Sequence, residues 1–217
     1  GSRELNGPIE LDIATIGGST YAVVAAYDDN GIDVIDISDP TNPTSVGSLA
    51  DGGSRKLGNP YDVAITTIGG STYAVVTSYA EHGIQIIDIS DPTSPSAVGS
   101  LADTGTYGGT VYDCLDTSHE SGGHRCLRQP VDVEIATIGG STYAVVAGSG
   151  DDGIEIIDIS TPSSPSQVER MTDRDDRTRE LDGANGVAIT TIGSSTYAVV
   201  TGTLDDGISI IDISTPS

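Results

Sequence analysis

Between Ile32 and Ile37 the chain reads Ile-Asp-Val-Ile-Asp-Ile, and this apolar–polar beat returns at Ile84, Ile154 and Ile208. Ahead of each lies Tyr-Ala-Val-Val, starting at Tyr21, Tyr73, Tyr143 and Tyr197. Ahead of that comes a further apolar segment, at Ile9–Ile16, Tyr61–Ile68, Val131–Ile138 and Asn185–Ile192. Short stretches of period-two alternation bounded by Gly, Asp, Asn and Pro predict β-strands. No stretch keeps the period of a helix. The whole pattern is one unit written four times, anchored at Ile16, Ile68, Ile138 and Ile192 with steps of 52, 70 and 54 residues.

The punctuation fits the strands. Gly-Gly-Ser-Thr joins the first strand to the second, with Gly193-Ser194 replacing the Gly pair in the last copy. Acidic turns ending in Gly31, Gly83, Gly153 and Gly207 join the second to the third, and Asn-Gly and Asp-Gly favour the positive φ angles of tight hairpins. Pro40, Pro92, Pro162 and Pro216 close the third strands, since proline lacks the ladder N–H. A fourth strand follows at Ser45–Leu49, Ala97–Leu101 and Gln167–Met171, but the last copy has none before the sequence stops at Ser217. The fold expected is all-β: a β-propeller with four blades of about four antiparallel strands, the outermost strand of the last blade missing. A solenoid would have shorter rungs and no regular hairpins. The repeat units are 1–52, 53–103, 130–182 and 183–217, with an insert loop at 104–129, counted as one domain because units of this size do not stand alone. The opening Gly1–Pro8 aligns with the linker Gly53–Pro60, so the chain is expected to begin at a join between repeats.

These residues carry a resemblance. STYAVV at 71–76 and IIDISDPTSP at 86–95, with their counterparts in the other copies, resemble the LVIVD-repeat β-propellers of bacterial and archaeal surface or secreted proteins. The resemblance covers the chain outside the insert. It implies propeller architecture and an extracellular or cell-surface location, and it brings no catalytic set.

Composition narrows the partners. Thirty-two acidic residues against nine basic ones give a net charge of −23, which opposes nucleic acid and anionic membranes and favours cations and salt. No run is long and apolar enough for a membrane-spanning helix. With no Phe or Trp, the core must be Ile, Val, Leu and Ala. The unpaired third strand of the last copy, with Ile208, Ile210 and Asp212, is the expected assembly edge, completed by a protein partner or another copy.

Four places could hold chemistry. The insert carries the two cysteines, Cys114 and Cys126, read as a disulfide stapling a polar loop, or with His119 and His124 as a zinc site of unfamiliar spacing. The acidic turns, with Asp28, Asp29, Asn30, Asp151, Asp152, Asp205 and Asp206, are turn formers that could also offer oxygen to calcium. Aligned inner strands place Glu10, Asp62 and Asp132 in one column at a mouth of the channel, with Asp12 and Glu134 two positions deeper. That column reads either as a cation site, Ca2+ for choice, or as caps on the preceding turns. The mixed-charge segment Glu169–Asp182 breaks the repeat and reads as a solvated linker. Phosphate-loop, dinucleotide, HExxH and Gly-x-Ser-x-Gly motifs are absent. The function expected from sequence is a non-enzymatic structural or interaction module of the cell surface, assembling through strand edges and blade faces. A calcium-dependent ligand-binding propeller is the alternative, and a propeller enzyme comes third.

Overall fold

The computed structural model describes residues 5–102, 106–107, 110–111, 127–173 and 179–216. The first sheet contains β1 (Pro8–Ile16), β2 (Ser19–Ala26), β3 (Gly31–Asp36) and β4 (Thr44–Ala50). The second contains β5 (Pro60–Ile68), β6 (Ser71–Ser78), β7 (Gly83–Asp88) and β8 (Ser96–Ala102). A two-residue ladder, β9 (Thr106–Tyr107) with β10 (Thr110–Val111), lies in the insert that the sequence reading left irregular. The third sheet is β11 (Pro130–Ile138), β12 (Ser141–Gly148), β13 (Gly153–Asp158) and β14 (Ser166–Thr172). The fourth is β15 (Ala184–Ile192), β16 (Ser195–Gly202) and β17 (Gly207–Asp212). Each is an antiparallel meander in chain order, four-stranded in the first three and three-stranded in the last. This is the expected propeller of four blades. Among the described residues no helix is long and apolar enough to cross a membrane.

Local sequence explains the turns. Gly17 and Gly18 take φ of 61° and 90°, as do Gly69–Gly70 and Gly139–Gly140, the double positive φ that only glycine adopts freely. The second hairpin places Asn30, His82, Asp152 and Asp206 at φ of 51–56°, a conformation in which Asn and Asp are the best tolerated side-chain-bearing residues. Each third strand ends because Asp36, Asp88, Asp158 or Asp212 accepts the backbone N–H two residues on, at Ser38, Ser90, Ser160 or Ser214. That turn bends the chain out of the ladder.

The core lies between blades. At the first joint Val23, Ala25, Ile32 and Val34 pack on Leu57, Val63, Ala74, Val76, Ile87 and Ile89 of the second blade. The second joint repeats this with Ile84 and Ile86 against Leu127, Val146, Ile157 and Ile159, and the third with Ile154 and Ile156 against Leu181, Val200, Ile211 and Ile213. The linker leucines Leu57, Leu127 and Leu181 are fully buried, each worth roughly 1.5–3 kcal/mol of burial. Alanine at the facing positions lets the sheets approach closely without aromatic filling. The inner strands β1, β5, β11 and β15 pack in that order and line the axis.

Candidate functional site

A β-bulge near the start of every inner strand sets the site. It falls between Pro8 and Leu11, Pro60 and Val63, Pro130 and Asp132, and Ala184 and Gly186. A bulge re-aims the side chain it carries. In the second blade the Asp62 N–H donates to Thr77 Oγ1 at 2.8 Å, and the carboxylate turns toward the third blade. There Asp62 Oδ2 accepts the Val133 N–H at 2.7 Å, while Oδ1 accepts from Val63 at 2.7 Å. Asp132 repeats the reach, its Oδ2 accepting Val187 N–H at 2.6 Å. In the first blade the same work falls to Asp12, which accepts Ile65 N–H at 2.7 Å, and Glu10 stays exposed. Asp12, Asp62 and Asp132 thus clamp each blade to the next. Among the described residues, no group of three or more His, Cys, Asp or Glu is placed to hold a metal ion.

The clamps have unusual electrostatics. Burial, a hydrogen bond with the Asp132 carboxyl and the repulsion between the two push Asp62 up to about 7, against the opposing pull of the Val133 and Val63 N–H groups. Glu134 is exposed in outline yet also raised, first by desolvation, then by the charges of Asp62 and Asp12. Near neutral pH Asp62 is therefore close to half-protonated, where a carboxyl free in water would have lost its proton.

The acidic turns do different work. Asp29, Asp151 and Asp205 accept linker N–H groups of their own blades from Asn6, Arg128 and Asp182. Asn30, His82 and Asp152 accept from the next blade's linker, at Asn59, Gln129 and Gly183. Asp28 and Asp206 lie exposed on the same turns. Cys114 and Cys126, with His119 and His124, lie outside the described residues. Ile208 and Ile210 are exposed on the last strand, and Asp212 is held by Ser214.

Sequence reasoning missed one group. Tyr27, Tyr61 and Tyr79 gather at the end of the inner strands where the carboxylates begin. Tyr61 and Tyr79 stack with ring centroids 6.1 Å apart, and Tyr27 meets them at 6.3 and 6.4 Å across the first joint. All three rings are half-buried. The signal was available: these tyrosines stand outside the repeated Tyr-Ala-Val-Val position, so they break the symmetry of the repeat. Two concavities lined by 52–55 of the linker and by β8 lie elsewhere, on the outer rim.

The model of the LVIVD repeat matches residues 12–51, 73–103 and 137–173. The chain belongs to the LVIVD-repeat family. The fourth copy lies outside the matched segments. No curated protein matches this LVIVD-repeat chain. Among solved structures it is similar to an exo-β-1,3-galactanase from Phanerochaete chrysosporium, at 12% identity and a TM-score of 0.55, over 99% of this chain and 48% of that one. A family-43 β-1,3-galactosidase matches at 10% identity and 0.56, over 98% and 74% of the two chains. An α-L-arabinofuranosidase from Lactobacillus brevis matches at 13% and 0.50, over 97% and 73%. The LVIVD-repeat chain spans about half the length of the galactanase. These likenesses establish the fold. They run against the expectation of a non-enzymatic surface module, since these three similar structures are of glycoside-cleaving enzymes.

Proposed function

We propose that this propeller recognises and cleaves a neutral glycan at the mouth formed by the starts of its inner strands. The observation that carries the reading is the Tyr27–Tyr61–Tyr79 cluster beside the start of β5, where Asp62 follows with its carboxyl pushed up to about 7 and Glu134 is raised in turn by desolvation and the charge of Asp62. Sugar rings have an apolar face that packs on aromatic rings, and their hydroxyls hydrogen-bond to carboxylates. Glycoside hydrolysis needs one carboxyl that keeps its proton at the working pH and a second carboxylate to meet the developing positive charge or activate water. Glu134 suits the first role: it is exposed, and its affinity for a proton is raised by desolvation, Asp62 and Asp12. Glu10, exposed on the first blade, suits the second. Asp62 and Asp132 are positioning residues, since their oxygens fix the blades, and the charge of Asp62 also raises Glu134. The galactan-cleaving neighbours support testing β-1,3-linked galactans first.

The test is release of reducing sugar from β-1,3-galactan and a panel of aryl glycosides. The native chain is expected to release product, and Glu134→Gln to lose at least about a hundredfold in rate, the usual scale of a general acid. Product release that survives Glu134→Gln and Glu10→Gln unchanged would overturn the assignment.

A further inference from the structure

The three joints of this molecule define what a blade offers to the next one, and the first and fourth blades each present one half of such a joint that no other described blade covers. At the interior joints the leading face is made by residues such as Ile32, Ile84 and Ile154, with Val34, Ile86 and Ile156 beside them, all buried. Their counterparts on the fourth blade, Ile208 and Ile210, are 59% and 63% exposed. The receiving face is made at interior joints by Val63, Val133 and Val187, all buried, and on the first blade by Leu11, 52% exposed, with Ile13 beside it at 54%. Among the described residues the first and fourth blades have no packed strand pair like those joining the others.

Polar complementarity follows the same template. At each interior joint the positive-φ residue of the second hairpin accepts an N–H from a positive-φ linker residue: Asn30 from Asn59, His82 from Gln129, Asp152 from Gly183. The fourth blade carries the acceptor, Asp206 at φ 54°, and the first blade carries the donor position, Gly7 at φ 63°. One element of the template is missing. Gly186 stands where Asp62 and Asp132 reach across to the next blade, so this joint would lack that clamp.

We infer that the fourth-blade face receives the first-blade face of a second copy of this chain, head to tail, through the same contacts that join blades within a copy. Ile208 and Ile210 then pack on Leu11, Ile35 and Ile37 of the second copy, and Asp206 accepts the Gly7 N–H. The contact is heterologous, with unlike surfaces meeting. It needs no strand added to the edge of β17, so it is separate from completion of the fourth sheet. A net charge of −23 on each copy opposes the contact, and molar salt shortens the screening length to about 3 Å. Association should therefore tighten at least about tenfold between 0.1 and 1 M sodium chloride.

Sedimentation velocity on the 217-residue chain tests the inference with two surface variants. Ile208→Asp/Ile210→Asp spoils the fourth-blade face, and Leu11→Asp/Ile13→Asp spoils the first. Each variant alone should remain monomeric at 1 M salt, while an equimolar mixture should form a dimer through the one intact pair of faces. The sites are exposed, and recovery on mixing shows that both variants are folded. A monomeric native chain at 1 M salt would overturn the inference. So would association that only one variant abolishes, or that mixing fails to restore.

Discussion

Asp62 shows how much one residue carries here. It accepts two backbone N–H groups, one from its own strand and one from the next blade, yet burial and the Asp132 carboxyl push it up to about 7. Its ordinary value of 3.8 applies in the unfolded chain. The folded form therefore holds a proton that the unfolded form releases, and the stabilisation is full below pH 3.8 and lost as pH rises through about 7. Thermal unfolding should show a melting temperature that falls between pH 5 and pH 8, and Asp62→Asn should flatten that fall. An equal fall in the variant would assign it to other groups. Asp36, Asp39, Asp91 and Asp212 are lowered by side-chain and backbone hydrogen bonds from Ser38, Thr41, Thr93 and Ser214. Their contribution has the opposite sign, present above the ordinary carboxylate range and lost as pH falls through the depressed values. The sequence column of Glu10, Asp62 and Asp132 was legible as a mouth. That Asp12, not Glu10, makes the first clamp was not, because the alignment cannot say which side chain a bulge turns across the joint.

At the scale of elements, strand identity and order were readable because pattern, turn residues and repeat agreed. What the alternation could not reveal is which apolar face meets which neighbour, since both faces of a blade are apolar and both are buried at interior joints. The outer strands add a steric condition. Gly47 and Gly99 lie against the Pro92 and Pro162 carbonyls of the following blades, and a Cβ there would come within 2.2 and 2.1 Å of the carbonyl oxygens. The third blade has Glu169 at the aligned position. Gly99→Ala should force the second and third blades apart and cost about 1–3 kcal/mol, read as a lowered denaturation midpoint. An unchanged midpoint would mean that the Ser-Asp-Pro turn yields at no cost. The tyrosine cluster belongs to this scale too. Tyr27 follows directly on one blade's second strand, and Tyr61 and Tyr79 belong to the next, so the platform exists only once two blades have docked.

For the whole molecule, the repeat builds the scaffold and departures from the repeat build the site. The buried isoleucines, linker leucines and strand-ending aspartates recur from blade to blade, and each has a packing or hydrogen-bonding task. Tyr27, Tyr61, Tyr79, Glu10 and Glu134 do not recur in all four copies, and they are the residues the proposed site draws on. Composition alone pointed to a surface module, because an acidic β-repeat without catalytic motifs is what such modules look like. The carboxyl pair proposed for catalysis leaves no motif, since Glu10 and Glu134 come from strands of different blades and are related only through the fold. The most direct measurement is a calorimetric titration of the native chain and of Tyr61→Ala/Tyr79→Ala with β-1,3-galactotriose and a panel of other neutral oligosaccharides. The account predicts a saturable heat for at least one sugar that weakens at least about tenfold, equivalent to about 1.4 kcal/mol, in the tyrosine variant. Binding that the tyrosine variant retains in full, or no heat with any sugar, would contradict it.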